Sequence, residues 1–122
     1  DIYSIHQIEP IVSLLGPEAK RIISLGTEKT PTFAIEFSNG RRAIMSSLGW
    51  QCPFGMAIYH QAGNVEIYNE FTDYFPRFID NLVDFFESGD VKVPAKETIS
   101  IISIRECGLK ALANQGTWID IP

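Results

Sequence analysis

A chain of 122 residues with 45% hydrophobic, 11% aromatic and 20% charged side chains has the make-up of one globular domain with its own core. That balance excludes disordered, collagen-like and low-complexity architectures. A net charge of −5 excludes nucleic acid as a partner, because a row of phosphates needs clustered Lys and Arg, and the basic pair of note is Arg41-Arg42.

Apolar side chains at Ile2, Ile5, Ile8, Val12 and Leu15, widened by Ile11 and Leu14, predict a helix over residues 2–15 with Asp1 as N-cap. Pro10 predicts a kink or break within it, and Gly16-Pro17 closes it. The chain opens on Asp1 rather than Met and the helical pattern begins at once, so a piece of a longer protein is expected.

Strands follow. Residues 21–25 read as the first, and Phe33, Ile35 and Phe37 alternate with Ala34 and Glu36 in the second. Asn39-Gly40 predicts a two-residue type I′ hairpin, which sets Ile35 opposite Ile44 and Phe37 opposite Arg42. A second hairpin over residues 56–68 turns at Ala62-Gly63, with Ile58 opposite Ile67 and Tyr59 opposite Glu66. These registers give the sheet an open face of Ala34, Glu36, Ala43, Met45, Ala57, Tyr59, Glu66 and Tyr68. Such a face is too apolar for water and predicts a homo-oligomer by sheet-on-sheet packing.

Helices return at about Thr72. Tyr74, Phe75, Phe78, Ile79, Leu82, Val83 and Phe86 form an aromatic stripe at helical spacing, expected to pack in the core and to end at Gly89. A last helix spans residues 98–113, with Ile101, Ile104, Gly108 and Leu112 on one side. A glycine in mid-helix implies close packing against a neighbour. A short strand over residues 117–121 completes an α+β fold, a mostly antiparallel open sheet with helices packed on one face.

Chemistry is sparsely marked. There is no G-x-G-x-x-G or P-loop, no nucleophile elbow and no metal motif; His6 and Glu9 share a helical turn, but two ligands fall short of a metal site. Cys52 and Cys107 lie in no ligand pattern and read as free thiols of a cytoplasmic, reducing compartment, with a disulfide as the alternative. No apolar run approaches the about 18 residues of a membrane span, so no membrane association is expected. His6 has two readings: an imidazole for acid–base work, or a helix-surface His bonded to Glu9 or solvent. His60 reads as a satisfied core or interface His. Trp50, Tyr59 and Tyr68 suit a pocket or a subunit interface.

Several of these segments, in their order and spacing, resemble the C-terminal domain of the Gfo/Idh/MocA oxidoreductases. The resemblance begins at Tyr3-Ser4-Ile5-His6-Gln7-Ile8-Glu9 with Leu14-Leu15-Gly16 and runs through Phe37-Ser38-Asn39-Gly40-Arg41. It continues in Phe78-Ile79-Asp80-Asn81-Leu82-Val83-Asp84-Phe85-Phe86, and closes on Val93-Pro94, Glu97-Thr98, Ile104-Arg105-Glu106 and Gly116-Thr117-Trp118-Ile119. It implies a substrate-binding and oligomerisation domain, residues 1–122, of a two-domain NAD(P)-dependent enzyme acting on a sugar, cyclitol or related polyol. The Rossmann domain that holds NAD or NADP would belong to the longer parent, and none would bind this chain. The family's catalytic His corresponds to His6, with Tyr3 and Trp50 as candidates for lining the substrate pocket. The family's Asp, four residues before that His, corresponds to Ile2, and Glu9 stands where an Asp is common. Ile2 cannot relay a proton, which keeps open a non-catalytic, sugar-sensing member of the same fold.

Overall fold

The computed structural model describes residues 4–49, 51–70 and 72–122. It divides into two compact units, Asp1–Gly49 with Val93–Pro122, and Trp50–Lys92.

The first unit carries helix α1 (Ile5–Leu15), strands β1 (Ala19–Ser24), β2 (Thr32–Phe37) and β3 (Arg42–Ser46), helix α3 (Ala95–Ala113) and strand β6 (Ile119–Asp120). Its antiparallel sheet has the order β3-β2-β1-β6. Helices α1 and α3 pack on each other and against one sheet face. The α+β class therefore stands as expected, with α1 and α3 on one face of this sheet, while the expected single sheet is divided in two and α2 lies in the other unit. Ile8 and Val12 of α1, Ile22 of β1, Ile35 of β2 and Ile104 and Ala111 of α3 are almost wholly buried between these layers.

Helix α1 begins after Ser4 and runs through Pro10 without interruption, although Pro10 has no N–H to give the His6 carbonyl. The N-cap expected at Asp1 lies outside the described residues. The Gly16 N–H closes the helix on the Val12 carbonyl at 2.8 Å. Helix α3 starts at Ala95, three residues earlier than expected: Pro94 stands extended before it, its carbonyl accepts from the Glu97 N–H at 2.9 Å, and Glu97 places an acid in the first turn. Gly108 faces the sheet as its position implied. A Cβ built there would lie 3.6 Å from Ile22 Cδ1 and 4.0 Å from Phe33 Cε1, which is ordinary contact. Gly108→Ala should therefore fit and raise stability by about 0.5–1 kcal/mol through helix propensity, seen as a higher denaturation midpoint.

The β2–β3 register differs by one residue from the expected one. Ala34 faces Ile44, Ile35 faces Ala43 and Glu36 faces Arg42. The cause is the turn, which has three loop residues, Ser38-Asn39-Gly40, instead of two. The Phe37 N–H donates to the Arg41 carbonyl at 3.0 Å and the Gly40 N–H to the Phe37 carbonyl at 3.0 Å, with Gly40 left-handed at φ 80°. A slip of one exchanges the two faces of a strand. Met45 is buried and Ala43 packs against the core, while Arg42 and Ile44 lie on the open face; Ile44 is 77% exposed.

The second unit holds the hairpin β4 (Met56–Tyr59) and β5 (Val65–Tyr68) and helix α2 (Tyr74–Ser88). The hairpin forms a separate two-stranded sheet. It repeats the same turn and the same correction: Gln61-Ala62-Gly63 is a three-residue loop with Gly63 at φ 92°, so Ile58 faces Glu66 and Tyr59 faces Val65. Glu66 and Tyr68 thus share a face with Met56 and Ile58, and Ala57 and Tyr59 belong to the other. Gly89 ends α2 by donating to the Phe85 carbonyl at 2.8 Å. Within its own unit the aromatic stripe of α2 is not covered as expected: the hairpin leaves none of its residues buried, and Tyr74, Phe75 and Phe86 stay the most open of them. Helical periodicity reports an apolar face; it does not supply the partner that would cover it.

Candidate functional site

His6 sits in the first turn of α1, on its outward side. Its Nδ1 lies 3.3 Å from Glu9 Oε2, one turn later, and both side chains are about half exposed. Which of the two ring nitrogens carries the proton follows from the tautomer, and in the tautomer protonated on Nδ1 that nitrogen donates to Glu9. The turn is anchored by Gln7, whose Nε2 donates to the Ser46 carbonyl at the end of β3 at 3.3 Å. Ser4, two residues before His6, lines a cleft of about 60 Å³ with Ile8, Pro31, Phe33, Met45 and Ser47. Arg105 of α3 also reaches this cleft and pairs with Glu106 at 2.9 Å. The cleft opens on the inner side of α1, and His6, on the outer side, is not among the residues that line it. Tyr3 and Trp50, the two further candidates, lie outside the described residues, as does Ile2.

On the open sheet face, Glu36 bridges two cations, with Arg21 Nε at 2.6 Å and an Arg42 guanidinium nitrogen at 3.0 Å. The Arg21 hydrogen bond holds the Glu36 carboxyl below the usual carboxylate range, against a smaller opposing push from burial. The Arg21 guanidinium also stacks over the Trp118 ring, 4.4 Å from its centre.

A third arrangement escaped the sequence reading. On β4–β5, Glu66 accepts from the Tyr68 hydroxyl at 2.5 Å and pairs with His60 Nε2 at 2.8 Å. One carboxylate thus links a phenol to an imidazole, and His60 is half-exposed rather than a core residue. The signal lay in the glycine at the third loop position, which puts His60, Glu66 and Tyr68 on one face. The Tyr68 hydrogen bond leads in lowering the Glu66 carboxyl below 4.5, and Glu66 in turn raises the Tyr68 phenol above 10.0. A lowered carboxylate stabilises the fold above its ordinary pKa and loses that contribution as pH falls through the lowered value. A raised phenol contributes below its ordinary pKa and loses this as pH rises. Hairpin order, followed by the amide resonances of residues 56–68, should accordingly weaken as acid protonates Glu66, and Glu66→Gln should remove that acid dependence.

Among the described residues no three His, Cys, Asp or Glu side chains gather to hold a metal. No helix is long and apolar enough to cross a membrane among those residues. Cys52 is an exposed free thiol and Cys107 a buried one. Compared with known proteins, the chain matches no family model, no curated sequence and no solved structure.

Proposed function

We propose that this chain is the C-terminal, substrate-binding and oligomerisation domain of an NAD(P)-dependent oxidoreductase of the Gfo/Idh/MocA kind, acting on a sugar, cyclitol or related polyol. The observation that carries this reading is His6, in the first turn of the helix that opens the domain, at the position that corresponds to the family's catalytic His. The ordered resemblance along the chain supports it, as does a one-sided α+β architecture.

The chain has no glycine-rich loop to cradle a pyrophosphate, so its residues do not fit a nicotinamide nucleotide. The reading assigns NAD or NADP to a Rossmann domain of the parent. On this reading the chain contributes the His6 imidazole, with Glu9 Oε2 3.3 Å from its Nδ1. Self-association would use the open sheet face, where Ile44 projects beside the Arg21–Glu36–Arg42 network. Free thiols support a reducing, cytoplasmic setting.

A second reading, a sugar sensor without turnover, is favoured by Ile2 at the family's Asp position. The parent protein, mixed with NAD or NADP and a panel of sugars and cyclitols, should reduce the nicotinamide with at least one of them. Sugar binding without reduction would replace the enzyme by the sensor. Neither binding nor reduction would sink both.

A further inference from the structure

The β2–β3 turn lies at the far end of α1 from His6, because the Asn39 amide donates to the Leu15 carbonyl at 3.0 Å. Leu15 lies nine positions along the helix from His6, about 14 Å along the axis. Beside this turn is an open, polar hollow of about 200 Å³ whose side chains include Lys20, Glu36, Ser38, Arg41 and Arg42. We propose that this hollow is a phosphate-binding site, separate from the His6 end of the domain.

Two backbone irregularities build it. The β1–β2 ladder shifts register between Ala19 and Arg21, which makes Lys20 the extra residue of a bulge. Bulges of this kind re-aim a side chain out of the regular alternation. The three-residue turn then brings Arg41 and Arg42 out of the loop in succession, its shape held by the Arg41 N–H donating to Asn39 Oδ1 at 3.0 Å. Three cations consequently line the hollow against one carboxylate.

That carboxylate is already engaged on both oxygens. Glu36 is held by Arg21 on one and Arg42 on the other, at 2.6 and 3.0 Å. The neighbouring Glu18 is likewise bound, by Lys96 at 2.5 Å and by the Ser38 hydroxyl at 3.3 Å. Lys20 and Arg41 make no ion pair with any described residue. In a chain of net charge −5, two such cations converging on one hollow are a local inversion of sign. A dianion with several acceptor oxygens satisfies an ammonium and a guanidinium fork together, whereas a monovalent carboxylate serves one of them. The phosphate could arrive as free inorganic phosphate or as the ester group of a small metabolite, and both present the same oxygens.

The test is a titration of the chain with inorganic phosphate, with glycerol phosphate and with acetate, at constant ionic strength, followed by amide chemical shifts. Saturable shifts confined to Lys20 and residues 38–42 are expected for phosphate and weaker ones for acetate. Tighter binding of the ester than of the free ion would identify a metabolite as the source, and the reverse would identify free phosphate. Lys20→Ala and Arg41→Ala should each weaken phosphate binding at least tenfold, with the thermal midpoint unchanged. Arg41→Lys keeps the charge but loses the fork, and should fall between. Shifts spread over all basic residues, or equal response to acetate, would overturn the proposal. So would wild-type affinity in Lys20→Ala and Arg41→Ala. The wild-type shift map stands even if a variant folds poorly.

Discussion

Gly26→Ala is expected to destabilise the chain by at least about 2 kcal/mol, lowering the thermal midpoint by roughly 8 °C for a domain of this size. The reason is the connection between β1 and β2. There the Leu25 N–H donates to the Thr32 carbonyl at 2.8 Å, and the loop is drawn in by Thr27, whose N–H reaches the Thr30 carbonyl at 3.3 Å. The two threonine hydroxyls bond each other at 2.8 Å, and Thr27 Oγ1 also accepts from the Thr30 N–H at 3.1 Å. A Cβ on Gly26 would stand 2.4 Å from the Thr30 carbonyl oxygen, 2.4 Å from the Thr32 nitrogen and 2.9 Å from the Pro31 carbonyl carbon. All three are backbone atoms, so no side-chain rotation relieves the overlap, and the returning segment itself must move. That movement would strain the Leu25–Thr32 bond, the first β1–β2 pair at Ser24 and Phe33, and the Ser47 N–H bond to the Pro31 carbonyl that ties down the end of β3. Gly108→Ala supplies the internal contrast, since its added methyl meets only side-chain atoms at contact distance. A Gly26→Ala midpoint equal to that of the wild type would show that the loop relaxes without cost and would refute the argument.

These two glycines also mark what the amino-acid order reveals and what it hides. The alternation of Phe33, Ile35 and Phe37 shows a half-buried strand, and all three are buried. Ile101 and Ile104 with Gly108 identify the inner side of α3. Hydrophobic period is local, so it can be read without knowing the partner. Register is not local. In both hairpins the glycine takes the third loop position rather than the second, and that single residue moves Met45 from the open face to the core and sets Glu66 against His60. The stripe of α2 shows the same boundary from the other side. Its spacing defines an apolar face correctly, while its exposure depends on surfaces elsewhere. At the candidate site, the His6–Glu9 pair follows from helical spacing alone. The cationic hollow does not, because it depends on a bulge at Lys20 that no side-chain pattern announces.

If His6 exchanges a proton with the substrate hydroxyl, His6→Ala in the parent enzyme should lower kcat by about 10²–10⁴-fold, the usual contribution of a positioned acid–base group. KM should change little if the imidazole moves the proton without holding the substrate. The fold should be little affected, since His6 is more than half exposed and pairs with Glu9 on the same helix. His6→Gln is the sharper variant. A glutamine retains a polar, hydrogen-bonding side chain on the same turn but cannot carry a proton between two states near neutrality. If the imidazole only positions the substrate, His6→Gln should keep most of the turnover. If it moves the proton, His6→Gln should be as impaired as His6→Ala. Glu9→Gln should give a smaller loss, because it removes the carboxylate beside Nδ1 but leaves the ring in place. Undiminished turnover in His6→Ala would reduce the pair to an ordinary helix-surface contact, and the acid–base role would have to be sought in residues of the parent.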